Sequence, residues 1–450
     1  MTSEFSVLLR EFRRQTALTQ EVLAERSGLA VRTIRRLEKG ESANPQLDTV
    51  RLLADALSLK PDDRARLLAV AEGGDAPRPT GNRLESALHR RLAEAAEDLA
   101  HAVGARWVRE EELRRIQDPF PLPVRWEVAP ADVMDHWANV RRVLPGESAT
   151  PLDLAGRLPE IADVYRRIPS GRLVVLGRAG SGKSVLAARF VLDVLRTREH
   201  GDPVPVVFDV GSWHPATTEF RDWLANQLVR DHPGLAAGGE NLAADLVAAG
   251  HVLPVLDGFD ELATGLHRTA LDALNATTMP MVLTSRPGEY ARVAADALTA
   301  AAAVRLVDLT VRDLVDYLPR TKGATAWDPV LAALRDDPER PACVNLRAVL
   351  TTPLMVGLAR AVYSGPDGRD PAELLDADRF ASQYAIEDHL LGSFIPTVYR
   401  DRDAGRARGW FGYLALHANR LGTPDIAWWQ LAPRCAGCRA RSSSGCCPGR

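Results

Sequence analysis

Leu173-Val-Val-Leu176, followed by Gly177-Arg178-Ala179-Gly180-Ser181-Gly182-Lys183-Ser184, is the stretch that decides the fold. Its first four residues suit a short buried strand, and Val185 to Leu195 carries a helical pattern. Strand, glycine-rich loop and helix in that order describe a phosphate-binding loop. Glycines at 177, 180 and 182 let backbone N–H groups close around phosphate oxygens, with Arg178, Ala179 and Ser181 completing the loop. The N-terminus of the following helix adds partial positive charge. Lys183 is placed to reach the β- and γ-phosphates, and Ser184 to ligate Mg²⁺. Only 4 of the 56 basic residues are lysines, so a chance match to this pattern is rare. The implied ligand is a nucleoside triphosphate with magnesium.

Further along the chain, His251-Val-Leu-Pro-Val-Leu256-Asp257-Gly-Phe-Asp260-Glu261-Leu262 reads as an apolar strand ending in acids. Asp257 stands where an aspartate holds Mg²⁺, directly or through water. Asp260 or Glu261 could accept a proton from attacking water or position it; the bland alternative is a solvated acidic loop. Met281-Val-Leu-Thr-Ser-Arg286-Pro reads as a third strand with a polar end. Arg286 could sense a γ-phosphate, since a guanidinium suits phosphate geometry, or it could be an ordinary surface arginine. Val204 to Phe208 and Val304 to Val307 complete the apolar runs. Strands alternating with helices predict a parallel sheet covered on both faces. After Leu309 the pattern is helical to about residue 430.

These three motifs in this order resemble a NACHT domain, of the STAND class of signalling NTPases. Asp257-Gly-Phe-Asp-Glu261 is the discriminating part, and the resemblance covers about residues 155 to 430. It implies ATP and ADP as the nucleotides, slow hydrolysis that resets a switch, self-association in the ATP state, and a helical subdomain behind the sheet. It also implies that Pro353, in Thr351-Thr-Pro353-Leu, contacts adenine. A plain helix boundary is the competing reading of Pro353. A metabolic P-loop kinase is disfavoured, because the helical region after Leu309 offers no evident acceptor site.

At the other end, Thr19 is placed to cap a helix that Gly28 breaks. Val31 to Lys39 forms a second helix that stops at Gly40. Val22, Leu23, Leu29, Ile34 and Leu37 make the inner face, and Arg32, Arg35 and Arg36 point outward. Residues 4 to 72 resemble the DNA-binding domain of Cro and related phage repressors, an XRE-like helix-turn-helix. The resemblance rests on Thr19-Gln-Glu-x-Leu-Ala and Ile34-Arg-Arg-Leu-Glu-Lys-Gly40. It implies that the second helix enters the major groove, with Val31, Arg32 and Arg36 at base-reading positions and Thr33 and Arg35 also among the DNA-contacting residues. Gln20 and Lys39 would touch phosphates. The alternative is a small bundle reused as a protein-interaction adaptor; nearly balanced charge over residues 1 to 72 weakens the DNA reading, and the three outward arginines on one helix strengthen it.

The expected class is multidomain: an all-α helix-turn-helix over 1–72, a linker over 73–154, a P-loop core over 155–309, helices over 310–430, and a tail over 431–450. The linker holds an amphipathic helix, with Leu84, Leu88, Leu92, Leu99 and Val103 in one stripe, and a Pro-rich irregular stretch over 118–150. Net charge is only -3, so any nucleic-acid contact must be local. The arginine excess, with abundant alanine, reads as the codon bias of a GC-rich bacterial genome. No apolar run reaches the ~18 residues needed to span a bilayer, and no signal peptide opens the chain; a cytoplasmic location follows. Cys435 and Cys438 have metal-ligand spacing, but Cys446-Cys447 does not fit a zinc ribbon. The abrupt change of composition there reads as a truncated or out-of-frame end. Two outputs stay open: transcriptional control, or an antiviral or stress-response complex. The upstream trigger is not legible.

Overall fold

The computed structural model describes residues 4–421 except 17, 40–46, 58, 60–62, 65–66, 69–70, 72–79, 115–120, 145–146, 238–240, 264, 294–296, 321–323, 364–368 and 400–401. Gly40, the glycine-proline stretch at 73–79 and the four tail cysteines lie outside the described residues. The chain divides into two compact units, Met1–Leu92 and Ala93–Arg450.

In the first unit, Phe5, Leu8, Leu9 and Phe12 recur at helical spacing and bury one face of helix Glu4–Gln15. They pack with Leu23, Ile34, Leu37, Val50, Leu53 and Leu57 in one core. Helix Gln20–Ser27 starts where Thr19 accepts the Val22 N–H at 3.2 Å, and it stops at Gly28, φ +69°. Helix Val31–Lys39 follows after a short turn, as the glycine punctuation predicts.

The second unit is built on a seven-stranded sheet in the order β2-β1-β7-β3-β6-β5-β4. The strands are β1 (Arg125–Val128), β2 (Gly156–Arg157), β3 (Arg172–Leu176), β4 (Val204–Asp209), β5 (Val252–Asp257), β6 (Met281–Ser285) and β7 (Ala302–Val307). The five strands from β3 to β7 are parallel, as the apolar runs predict. β3 is buried at every residue, which is why it reads as a continuous apolar run.

One expectation is corrected. The segment over 118–150, read as irregular, contains β1, which pairs antiparallel with β7 from Arg125↔Val307 to Val128↔Val304. Its alternation, Trp126 then Val128, is too short to read as a strand by periodicity; the Trp126 side chain is buried and donates Nε1–H to Leu154 O at 2.7 Å. The amphipathic segment forms helix Thr80–Arg114. Leu92, Leu99 and Val103 are buried as expected, but Leu88 is 43% exposed. From Ala93 onward this helix is tied to the second unit through Arg198–Glu97 and Arg189–Glu111.

Behind the sheet, regular structure from Val311 to Leu421 is helical among the described residues. Trp327, Leu331, Leu346, Val356 and Leu390 belong to its separate core. Among the described residues, no single helix is long and apolar enough to cross a membrane.

Candidate functional site

The phosphate loop leaves the C-terminal end of β3 and runs into helix Lys183–Thr197. The Gly177 N–H donates to Ser285 O at 3.0 Å, which fastens the loop to β6. Gly180 and Gly182 take φ +73° and +97°, a region that L side chains rarely adopt. A Cβ at Gly177 would stand 2.4 Å from Ser181 Oγ. No side chain caps the helix at Gly182, so its first N–H groups keep their donor capacity. Ser181 Oγ is buried without a hydrogen-bond partner. A glycine cradle, open helix donors and an orphaned hydroxyl together fit a phosphate group.

Lys183 arches over the loop, with Nζ donating to Gly177 O at 2.9 Å and Arg178 O at 3.3 Å. Burial holds its ammonium below the ordinary lysine value, while the charges of Asp260 and Asp257 pull the other way. Ser184 is exposed one residue on, and Arg178 pairs with Asp308 at 3.1 Å.

The acids gather at the ends of neighbouring strands. Asp257 closes β5 and lies in register with Asp209, which closes β4. One Asp257 oxygen accepts the Thr284 hydroxyl, and that hydroxyl oxygen accepts the Gly258 N–H at 3.0 Å. The other Asp257 oxygen keeps the chemistry of a cation ligand. Asp260 is committed elsewhere: Oδ1 accepts the Arg286 N–H at 3.1 Å, and Oδ2 pairs with Arg286 Nε at 2.8 Å. Burial raises the Glu261 carboxyl above the usual carboxylate range, and the charges of Asp209, Asp260 and Asp257 raise it further. The two adjacent acids therefore differ in kind: one is held as an ion-pair partner, the other is raised by burial and by its acidic neighbours.

The helical region reaches the loop through helix Pro353–Tyr363. The Leu354 N–H donates to Gly180 O at 3.1 Å, and Pro353 Cγ lies 3.8 Å from a Cβ built on Gly182. On the strand side, Leu306 and Val124 line Gly177 and Gly182. Sequence reading missed Asp209, Thr284 and Leu354. Asp209 carried a usable signal, since it ends an apolar run as Asp257 does. Thr284 and Leu354 carried none, because a neutral hydroxyl and a backbone N–H have no motif of their own.

In the first unit, Glu38 organises the second helix. Arg13 Nε and Nη2 donate to its carboxylate at 2.5 and 3.2 Å, and Gln20 Nε2 donates at 2.6 Å. Arg35 Nε in turn donates to Gln20 Oε1 at 3.2 Å. Gln20 and Arg35 thus brace the two helices against each other. Arg32, Arg36 and Lys39 are exposed on the outer face. Thr33 is half-buried, and Val31 packs partly against the core.

Residues 4–67 match the model of a helix-turn-helix domain, and residues 171–323 match that of the NACHT domain. No curated protein matches the chain. NACHT is a P-loop NTPase domain, so nucleotide binding is its general property, and the two domains together support a DNA-binding regulator of the NTPase type. The chain is thus a helix-turn-helix domain at residues 4–67 joined in sequence to a NACHT domain at residues 171–323.

Proposed function

We propose that the chain is an ATP-binding, slowly hydrolysing switch whose nucleotide state controls DNA binding, and hence transcription. The observation that carries this reading is the Leu354–Gly180 hydrogen bond. It makes the helical region a direct reporter of the phosphate loop's shape. ATP and ADP would then favour different arrangements of that region, which is the requirement for a switch. Arg178, Ala179 and the glycines cradle phosphate, and Lys183 neutralises charge on it. Ser184 and Asp257 would hold Mg²⁺, which supplies further charge neutralisation at the phosphates when bound. Glu261, with its raised proton affinity, accepts the proton of the attacking water. Arg286, positioned by Asp260, faces the terminal phosphate, and Pro353 borders the base. Self-association accompanies the ATP state.

On the DNA side, Arg32 and Arg36 read base edges, and Lys39 and Gln20 set the register on phosphates. A gel shift of the full chain against genomic fragments, with ATP, with ADP and with neither, tests the whole reading. Nucleotide-dependent retardation that disappears in Arg32→Ala/Arg36→Ala is expected. Retardation that ignores nucleotide would remove the switch. No retardation at all would favour the adaptor role for residues 4–67.

A further inference from the structure

The last two described helices, Gln383–Val398 and Ala404–Leu421, each present exposed residues along one face. Gln383–Val398 buries Ile386 and Leu390 in the helical core. A different stripe faces outward: Tyr384 is 74% exposed, Leu391 51%, Phe394 40% and Val398 54%. With Glu387 these positions alternate steps of three and four residues, the seam of a helix that packs lengthwise on another helix. Isolated exposed apolar residues are ordinary, but a continuous stripe marks an interface.

Among its described side chains, Ala404–Leu421 buries Ala407 alone. Its opposite face carries Gly405, Gly409, Gly412 and Leu416, again in steps of four, three and four. Each glycine costs about 1 kcal/mol against alanine in an exposed helix. Nothing lies within 4 Å of a Cβ built at Gly409 or Gly412, so packing among the described residues does not require them. The glycine run of this seam leaves room for large side chains from a facing helix. The charges are complementary too. Gln383–Val398 has Glu387 and Asp388 and no Lys or Arg; Ala404–Leu421 has Arg406, Arg408 and Arg420 and no acid.

We propose that this helix pair docks a second copy of the same chain, with Gln383–Val398 of each copy lying along Ala404–Leu421 of the other. The large seam fills the glycine seam, and the acids meet the arginines. Both contacts are made twice by one two-fold operation, so the assembly closes as a dimer. None of the nucleotide-site residues takes part, so this dimer forms without nucleotide and is a contact separate from the self-association proposed for the ATP state.

Sedimentation velocity of the full chain in the absence of nucleotide tests it. Wild type sediments as a dimer. Glu387→Arg/Asp388→Arg and Arg406→Glu/Arg408→Glu each lose the dimer, and mixing the two variants restores it, because each charge-reversed helix then meets its complement. A fold broken by the substitutions would not be rescued by mixing. Gly409→Met/Gly412→Met also loses the dimer while its melting temperature holds or rises, since Met is the better helix former. A monomeric wild type overturns the proposal. If removal of residues 422–450 then produces a dimer, the chain's own end is the occupant of the seam. A dimer that survives the charge reversals and the glycine replacements overturns it as well.

Discussion

Asp260 holds Arg286 twice, by its backbone N–H at 3.1 Å and by its guanidinium Nε at 2.8 Å. The carboxylate is almost wholly buried while the arginine side chain is half exposed. Asp260 thus fixes where β6 releases Arg286, and the proposed function gives proton transfer to its neighbour Glu261. Glu261→Gln is expected to keep nucleotide affinity and lower turnover by about 100-fold or more. Asp260→Asn should instead lower the melting temperature, at a cost of about 1–2 kcal/mol. Single-turnover hydrolysis beside thermal unfolding separates the two. Full turnover in Glu261→Gln would return the proton to another group.

Lys183→Ala should abolish measurable nucleotide binding in titration calorimetry. The ammonium is partly desolvated before any ligand arrives, so little further dehydration is needed when it meets phosphate. Unchanged ATP affinity in this variant would remove the loop from the site.

Gly180→Ala is expected to be worse than its size suggests. Its φ of +73° is strained for alanine, and the new Cβ would stand 2.9 Å from Leu354 Cβ. We expect a loss of about 1–3 kcal/mol in stability. The Leu354–Gly180 hydrogen bond should break with it, seen as faster amide exchange at Leu354. Protection at Leu354 equal to wild type would show that the loop and the helix are not coupled.

Glu38 predicts an acid-sensitive first unit. Burial alone would raise its carboxyl, but the hydrogen bonds from Arg13 and Gln20, with Arg13's charge, hold it below the ordinary glutamate value of 4.5. A lowered folded value means that the stabilisation is fully present above 4.5 and drains away as pH falls through the folded value beneath it. Glu38→Gln should cost about 1–3 kcal/mol near neutrality. Urea unfolding followed at pH 7 and pH 3 should show that gap closing at pH 3. A gap that persists at low pH would assign Glu38 a role independent of its charge.

Much of the fold is legible because its strands are buried on both faces. β3 to β7 each read as an apolar run, and each ends within a residue or two of where the run ends. The loop is legible for a related reason: left-handed backbone at Gly180 and Gly182 demands glycine, so the chemistry is written in residue types. β1 was missed because a four-residue strand with one tryptophan gives no periodicity to count. Pro353's approach to the loop was legible only by resemblance, and Leu354's bond not at all, since any residue but proline can donate a backbone N–H. The split between Asp260 and Glu261 is likewise invisible in sequence. Two adjacent acids look alike until Arg286 is seen to claim one of them.

The small strand β1 has a practical consequence. It comes from upstream of residues 171–323, yet its backbone satisfies the outer edge of β7. A fragment cut at the start of the NACHT match would bare that edge, with Val304 and Leu306 alternating along it. Unpaired strand edges recruit one another, so such a fragment should precipitate or form sheet-linked aggregates. Recombinant pieces of this protein should therefore start before Arg125, and a soluble domain is defined here by hydrogen bonding more than by motif boundaries.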